Sequence, residues 1–183
     1  MCSFRKHLLW VVLVYILAFL LAGLVILIIE DQSRLWKALY ADVVATQVIF
    51  GIGSLFRNSS YYDPYWSVTP PMLFLCWAFD LVLSDPRMGL LFLITLFWSL
   101  RLTYNWMRNW SGLDHEDWRY RDFKKATGVF YPLVDLFGIH LAPTFIVFLG
   151  CLPFYWLSST ETVAWSLWDC SWALHGLFGI YLE

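Results

Sequence analysis

The chain has 183 residues, of which 60% are hydrophobic and 20% aromatic, and its mean hydropathy is +0.62. A water-soluble domain of this length does not bury so much apolar surface, so the composition excludes an ordinary soluble globule and indicates a membrane protein. The formal net charge of −2 offers no basic surface for nucleic acid, and we expect no nucleic-acid partner.

Apolar segments predict an all-α fold, a polytopic transmembrane bundle of about six helices. The predicted spans are residues 8–29, 38–56, 67–83, 88–106, 130–157 and 163–182. The first has 22 residues without a charge. At about 1.5 Å per residue it reaches roughly 33 Å, enough to cross a hydrocarbon core of about 30 Å. Since these runs lack the alternation of strands, we expect one helical membrane domain over residues 1–183, with a polar loop at 107–129.

Two of the spans carry features that bear on packing. The apolar run at 72–83 is short for a complete crossing, so a re-entrant hairpin fits that segment as well as a span. In the second span, Gln47, Gly51 and Ser54 share one helical stripe. Small and polar residues in a stripe let membrane helices approach closely, which predicts a helix contact there.

Basic residues flanking the spans predict the orientation of an integral membrane protein. With a cytoplasmic amino terminus, nine Lys and Arg residues fall on the cytoplasmic side and three on the other, as the positive-inside rule requires. The two polar, aromatic segments 57–71 and 101–129 then lie on the same cytoplasmic side. We expect them to converge into a polar mouth above the bundle.

The segment 57–71 reads RNSSYYDPYWSVTPP and places an acid at a membrane boundary. Pro64 biases Asp63 away from the helical region, so the backbone breaks among aromatic residues. One interpretation is an aromatic belt with a capping aspartate at a helix start. The other is a half-buried carboxyl group beside phenols, which delivers a proton or a hydrogen bond to a carbonyl.

The segment 101–129 begins with a helical face of polar side chains. Arg101, Asn105 and Arg108 are four and three residues apart, so they line one side of a helix and present a site for an anion. The following run GLDHEDWRY has adjacent charges that do not share a helical face, so we predict no metal site. One interpretation of this run is a solvated loop whose charges pair with one another. The other is a binding surface, in which the alternating aromatic and guanidinium groups hold a flat cofactor ring with a phosphate tail.

Four motifs in this order resemble a known group of proteins. YDPYWSVTP, RLTYNW, GLDHEDWRY and FYPLVDLFGIHLAPT are similar to a family of polytopic membrane proteins grouped with the steroid 5α-reductases and the isoprenylcysteine carboxyl methyltransferases. The resemblance extends over residues 42–183. It implies a helical bundle that reduces an enone in a lipid or steroid, using NADPH or NADH bound from the cytoplasmic side.

The resemblance also implies roles for residues. An acid before a Pro-aromatic segment, matched by Asp63, polarises the substrate carbonyl together with a tyrosine. An arginine that starts an Arg-x-x-Tyr pattern contacts the cofactor and is matched by Arg101. The tyrosine position three residues before that arginine is Trp98 here, so another phenol has to replace it. The substitutes are Tyr61, Tyr62, Tyr65 and Tyr104.

Motif chemistry and resemblance together give one set of candidate residues. The catalytic candidates are Asp63, Tyr65 and Tyr104. The candidates for cofactor binding are Arg101, Asn105, Arg108, His115, Trp118 and Arg119. Membrane lipid and a hydrophobic substrate are the expected partners, with further membrane subunits as an alternative.

The carboxyl-terminal end leaves two further functions open. Members of the resembled family continue past position 183 with a basic stretch and a motif that hold most of the nucleotide. We therefore expect a truncated sequence or a shortened relative, which by itself binds a dinucleotide weakly because its arginines enclose one side only. A structural or accessory subunit of a larger membrane complex is one alternative function, and a methyltransferase is the other.

Overall fold

The computed structural model describes residues 2–160 and 165–182, and the regular structure within those ranges is helical. The long helices are α1 (Cys2–Ile28), α2 (Arg34–Leu55), α3 (Tyr65–Ser84), α4 (Pro86–Asn109), α5 (Trp118–Thr127), α7 (Ala142–Ser158) and α8 (Leu167–Leu182). A short α6 (Tyr131–Leu133) and a π-helix (Val134–Leu141) lead into α7, and 3₁₀ turns occupy Ser59–Tyr62 and Gly128–Phe130. The predicted all-α membrane fold is confirmed.

Five helical stretches are long and apolar enough to cross a membrane: α1, α2, α3, α4 and the stretch that ends with α7. The shorter α8 has 16 residues and covers most of the sixth predicted span, of which positions 163 and 164 lie outside the described residues. Within the predicted third span, α3 is a single helix with a kink at Ala78 and not a hairpin. In the predicted loop 107–129, α4 continues to Asn109 and α5 forms a further helix.

Local sequence explains where the polar helices begin and end. Asp85 caps α4 by accepting a hydrogen bond from the Arg87 N–H at 2.8 Å, and Pro86 follows at the first helical position, where its missing N–H costs nothing. Asp117 caps α5 in the same way through the Arg119 N–H at 2.9 Å. Gly128 ends α5 with a positive φ of 52°, which an L side chain rarely adopts.

Alanine residues on facing sides of α1 and α2 let these helices pack closely. Ala18 of α1 and Ala41 and Ala45 of α2 are buried in one apolar cluster. The predicted contact stripe on α2 is wrong, because Gln47 and Ser54 are exposed and a Cβ at Gly51 would meet nothing within 4 Å. Alanine faces give the same close approach without burying an amide that would need a partner.

The third helix lies at the centre of the bundle, between α4 on one side and α7 on the other. Its Phe74 and Trp77 are fully buried, and the Phe74 ring lies 4.9 Å from the ring of Phe154 on α7. At the outer side of α4, Arg87 contacts Asp169 of α8 with an N–O distance of 2.7 Å. These contacts hold α3, α4, α7 and α8 against one another.

Candidate functional site

The two polar segments meet at one end of the bundle, as the sequence predicts. The Asp117 N–H donates to the Ser60 hydroxyl at 3.0 Å, and the Asn58 amide donates to the Leu113 carbonyl at 2.8 Å. These contacts join residues about fifty-five positions apart in the chain and involve buried side chains of the 57–63 connection. The predicted convergence of 57–71 with 101–129 is therefore confirmed.

A buried acid, Glu116, holds the start of α5 on that connection. Its Oε1 atom accepts from the Ser59 N–H at 2.9 Å and from the Lys124 ammonium at 2.6 Å. The same ammonium donates to the Arg57 carbonyl at 2.8 Å. Because the Glu116 side chain is only 12% exposed, these bonds are partly shielded from water, and they hold the start and the middle of α5 on the connection.

The centre of the site is a carboxyl and phenol pair. The Tyr120 hydroxyl donates to Asp63 Oδ1 at 2.5 Å, and Tyr120 is buried while Asp63 is half-buried. Arg119 turns to Asp117, with its Nε and Nη2 atoms at 2.9 and 3.0 Å from the two carboxylate oxygens. This bidentate guanidinium lowers the pKa of Asp117. Asp63 is thus bound to a neutral donor, while the neighbouring Asp117 is bound to the cation.

Asp63 and Tyr120 line a cavity of about 620 Å³. Four of the predicted site residues line it: Asp63, His115, Trp118 and Arg119. The structure brings these four together from two segments that are far apart in sequence. Tyr120, which the prediction missed, lines it too; the only sequence signal for it was its place among the charges of GLDHEDWRY.

The other predicted site residues lie outside that lining. Tyr65 is fully buried against α2, where its hydroxyl donates to Asp42 Oδ1 at 2.6 Å. Tyr104 is 54% exposed on α4, and the Arg108 guanidinium lies over its ring at 5.9 Å from the centroid. On the same helix, Arg101 and Asn105 are half-buried. The polar face that these α4 residues form therefore turns away from the pair of Asp63 and Tyr120.

Two tryptophans of the cavity wall were not predicted as site residues. Trp106 and Trp110 stack with ring centroids 4.9 Å apart, and among the described residues neither indole N–H has a hydrogen-bond partner. Buried N–H groups without a partner are costly, so a ligand acceptor is the chemistry that would satisfy them. Trp106 also lines an apolar groove of about 650 Å³ between α1, α3 and α4, so the polar cavity and the groove share this tryptophan.

A buried polar network supports the part of the cavity wall that Tyr62 forms. The Tyr62 hydroxyl lies 2.7 Å from the Thr144 hydroxyl, which in turn lies 2.8 Å from the Thr46 hydroxyl. The Tyr62 ring packs 4.7 Å from the ring of His140, and His140 Nδ1 is 3.1 Å from Asp135 Oδ1. This network ties the 3₁₀ turn of the site to α2 and to the π-helix, so the wall is held from two sides.

The cavity lining offers aromatic surfaces for a flat ring, whereas its arginine is paired with a carboxylate. Trp118 and the stacked tryptophans offer flat surfaces and donors for a ring that carries a carboxamide. A pyrophosphate needs cations, but Arg119 is held by Asp117 and Arg108 lies over Tyr104. The arginine that lines the cavity is thus already paired with a carboxylate.

Comparisons with known proteins give relatives but no described activity. The chain is 27% identical over 139 residues to an uncharacterised protein of Schizosaccharomyces pombe, and the match covers 72% of this chain and 40% of that relative. The chain thus spans less than half the length of the curated relative that it matches. No solved structure matches it. The family described as protein of unknown function, DUF1295, matches residues 49–183, and the chain belongs to this family.

Proposed function

We propose that this protein belongs to the steroid 5α-reductase group and reduces a carbon–carbon double bond conjugated to a carbonyl in a hydrophobic molecule. The observation that carries the proposal is the Asp63–Tyr120 pair, which lies in a polar cavity that shares the wall residue Trp106 with an apolar groove. An enone lipid has the same two parts, a polar oxygen and a large apolar body. The motif resemblance over residues 42–183 supports the same assignment.

Asp63 is the group that we place against the substrate carbonyl. As the carbonyl oxygen gains negative charge during reduction, a hydrogen bond from the protonated Asp63 carboxyl stabilises it. Tyr120 acts as a positioning residue, because its hydroxyl donates to Asp63 Oδ1 and fixes the carboxyl orientation. The unpartnered indole N–H groups of Trp106 and Trp110 are further donors at the cavity wall.

NADPH or NADH would supply the hydride to the β-carbon of such a substrate. His115 and Trp118, which line the cavity, would hold the nicotinamide end by contact with the ring. The pyrophosphate and the second nucleotide would need cations outside the cavity lining, because Arg119 is paired with Asp117. Arg101, Asn105 and Arg108 remain candidates for that outer part of the cofactor.

We place this site on the cytoplasmic side. The His7 ring at the start of α1 accepts a hydrogen bond from the Leu113 N–H at 3.2 Å, and Gly112 lies against the same ring. The amino-terminal end of α1 and the 110–117 segment therefore share one end of the bundle. The count of nine basic residues against three then favours the cytoplasm for both.

The test is turnover of a 3-oxo-4-ene steroid by the longest natural form of the protein in lipid nanodiscs, with NADPH consumption and saturated product as readouts. We expect Asp63→Asn to lose activity by about 100-fold or more, as removal of a general acid does. Asp122→Asn, an acid on the outer face of α5, is the matched control and should keep it. Full turnover by Asp63→Asn would remove this acid from the mechanism.

An accessory role in a larger membrane complex is the second proposal. The specific observation in its favour is that Arg119, the arginine among the described lining residues, is paired with Asp117 and so is not free to bind a phosphate. Titration of the 183-residue chain with NADPH, followed by fluorescence in detergent, separates the two functions. Saturable binding in the micromolar range would contradict the accessory role.

A further inference from the structure

A second cavity lies between α1, α2 and α3 and shares no lining residue with the 620 Å³ cavity at Asp63. It has a volume of about 310 Å³, and its wall is almost entirely apolar. The polar side chains in the wall are Asp42 of α2 and Tyr65 and Thr69 of α3. On the outer side Met72 is 42% exposed, so the cavity wall includes residues that face the hydrocarbon.

Two of these polar groups are buried without a complete set of hydrogen bonds. Asp42 is 5% exposed, and its Oδ1 atom accepts from the Tyr65 hydroxyl at 2.6 Å. Its Oδ2 atom has no hydrogen-bond partner within the described part of the chain, and the Thr69 hydroxyl, on a residue 3% exposed, lies near the Tyr65 phenol without a well-aligned hydrogen bond there. Thr69 is one turn beyond Tyr65 on the same helical face, so both groups border the same space. Buried polar groups in native proteins normally have hydrogen-bond partners, so a bound ligand is one way to satisfy these two.

We propose that this cavity binds a neutral single-chain lipid alcohol, with its hydroxyl between Asp42 and Thr69. A hydroxyl both donates and accepts, so one such group satisfies a carboxyl oxygen and a threonine hydroxyl together. The apolar wall then holds the hydrocarbon chain. At about 30 Å³ for a water molecule, and roughly as much for a methylene group, the volume accommodates a chain of about ten carbons.

This proposal goes beyond the reductase function and does not depend on it, because Asp63 and Tyr120 take no part. The probe is 1-decanol with a diazirine near the end of its chain, added to the full chain in lipid nanodiscs. After irradiation, we expect adducts on peptides of α1 and α3 that line the cavity. Unlabelled 1-decanol should compete, whereas decane, which lacks the hydroxyl, should not.

The decisive variant is Thr69→Val, which keeps the shape of the side chain and removes the hydroxyl. Loss of one hydrogen bond should lower labelling by about 3- to 10-fold. Thr95→Val is the matched control, since this buried threonine bonds within its own helix and lies outside the cavity, and its labelling should equal that of the wild type. Equal competition by decane, or full labelling of Thr69→Val, would overturn the proposal and leave a cavity that takes any hydrocarbon or water.

Gly23→Leu provides a second variant in case the first is poorly folded. A Cβ at Gly23 meets nothing within 4 Å, so a larger side chain can enter the space that this residue lines. We expect it to abolish the α1 and α3 adducts while the protein elutes as the wild type does on size exclusion. Unchanged adducts in this variant would place the probe elsewhere and refute the site.

Discussion

Replacing Glu116 by alanine should free α5 from the bundle. This carboxylate accepts from the Ser59 N–H and from the Lys124 ammonium, and thereby joins the start and the middle of α5 to the 57–63 connection. The sequence of α5 itself is polar except for a few aromatic side chains, so it has little apolar surface to bury. Its position therefore depends largely on hydrogen bonds, among them those of Glu116, whose side chain is 12% exposed.

The magnitude follows from the contacts that are lost. Hydrogen bonds to charged groups contribute about 1.5–3 kcal/mol each when buried. The Lys124 side chain is 30% exposed, so solvent screens its share, and a total of about 2 kcal/mol for Glu116→Ala is reasonable. At about 1.4 kcal/mol for each factor of ten, the population in which α5 is undocked rises by about 30-fold.

Hydrogen exchange of the α5 amides measures that population, because exchange from a protected helix proceeds through local opening. We expect peptides that cover 118–127 to exchange about 30-fold faster in Glu116→Ala, and peptides of α3 to be unaffected. The control is Asp122→Ala, which removes an ion pair with Lys125 at 3.6 Å between side chains that are 61% and 79% exposed. Its effect should be less than about twofold. Equal exchange in both variants would refute the role of Glu116 as a clamp.

Three further predictions test the surrounding structure. Thr144→Val leaves two buried hydroxyl partners unpaired and should lower the free energy of unfolding by about 1–3 kcal/mol, measured by thermal denaturation in detergent. Because the Arg119 guanidinium lowers the pKa of Asp117, this pair stabilises α5 above the ordinary pKa of about 3.9, and the contribution is lost as pH falls through the folded-state pKa. A carboxyl titration by NMR should show a higher pKa for Asp117 in Arg119→Gln than in the wild type. A cysteine at Asp122 should react with an impermeant maleimide only from the cytoplasmic side, and one at Asp31 only from the other; labelling of both from one side would contradict the orientation.

Most of the fold could be predicted because short stretches of sequence determine where each helix lies. Runs of apolar residues set the spans, and the fourth, predicted as 88–106, is observed as Pro86–Asn109. Its start is fixed by a capping aspartate and a proline, which sequence alone shows. The predicted helix contact through Gln47, Gly51 and Ser54 of α2 was wrong because several faces of that helix carry small residues. Only the partner helix decides which face packs, and that information is not local.

The site was predictable in location and less so in detail. Its acid, Asp63, was found from the chain break at Pro64, but its partner Tyr120 is 57 positions away, and no local pattern links them. Tyr65 illustrates the opposite problem. It begins α3 just after that break, and the helix turns its side chain toward Asp42 and away from the cavity. A difference of two positions in a helix changes direction by roughly 200°, so proximity in sequence misleads there.

The π-helix is the feature that α-helical periodicity could not reveal. Asp135 and His140 are five positions apart, a spacing that places residues on different faces of an α-helix. In a π-helix the repeat is longer, and the structure brings these two buried side chains together, with His140 Nδ1 at 2.9 Å from the Asp135 carbonyl and 3.1 Å from its Oδ1. The wider turn also directs the His140 ring onto Tyr62, which lines the candidate site. Removing one residue from this segment would restore the α-helical register and separate the pair, so the wall behind Asp63 depends on that extra residue.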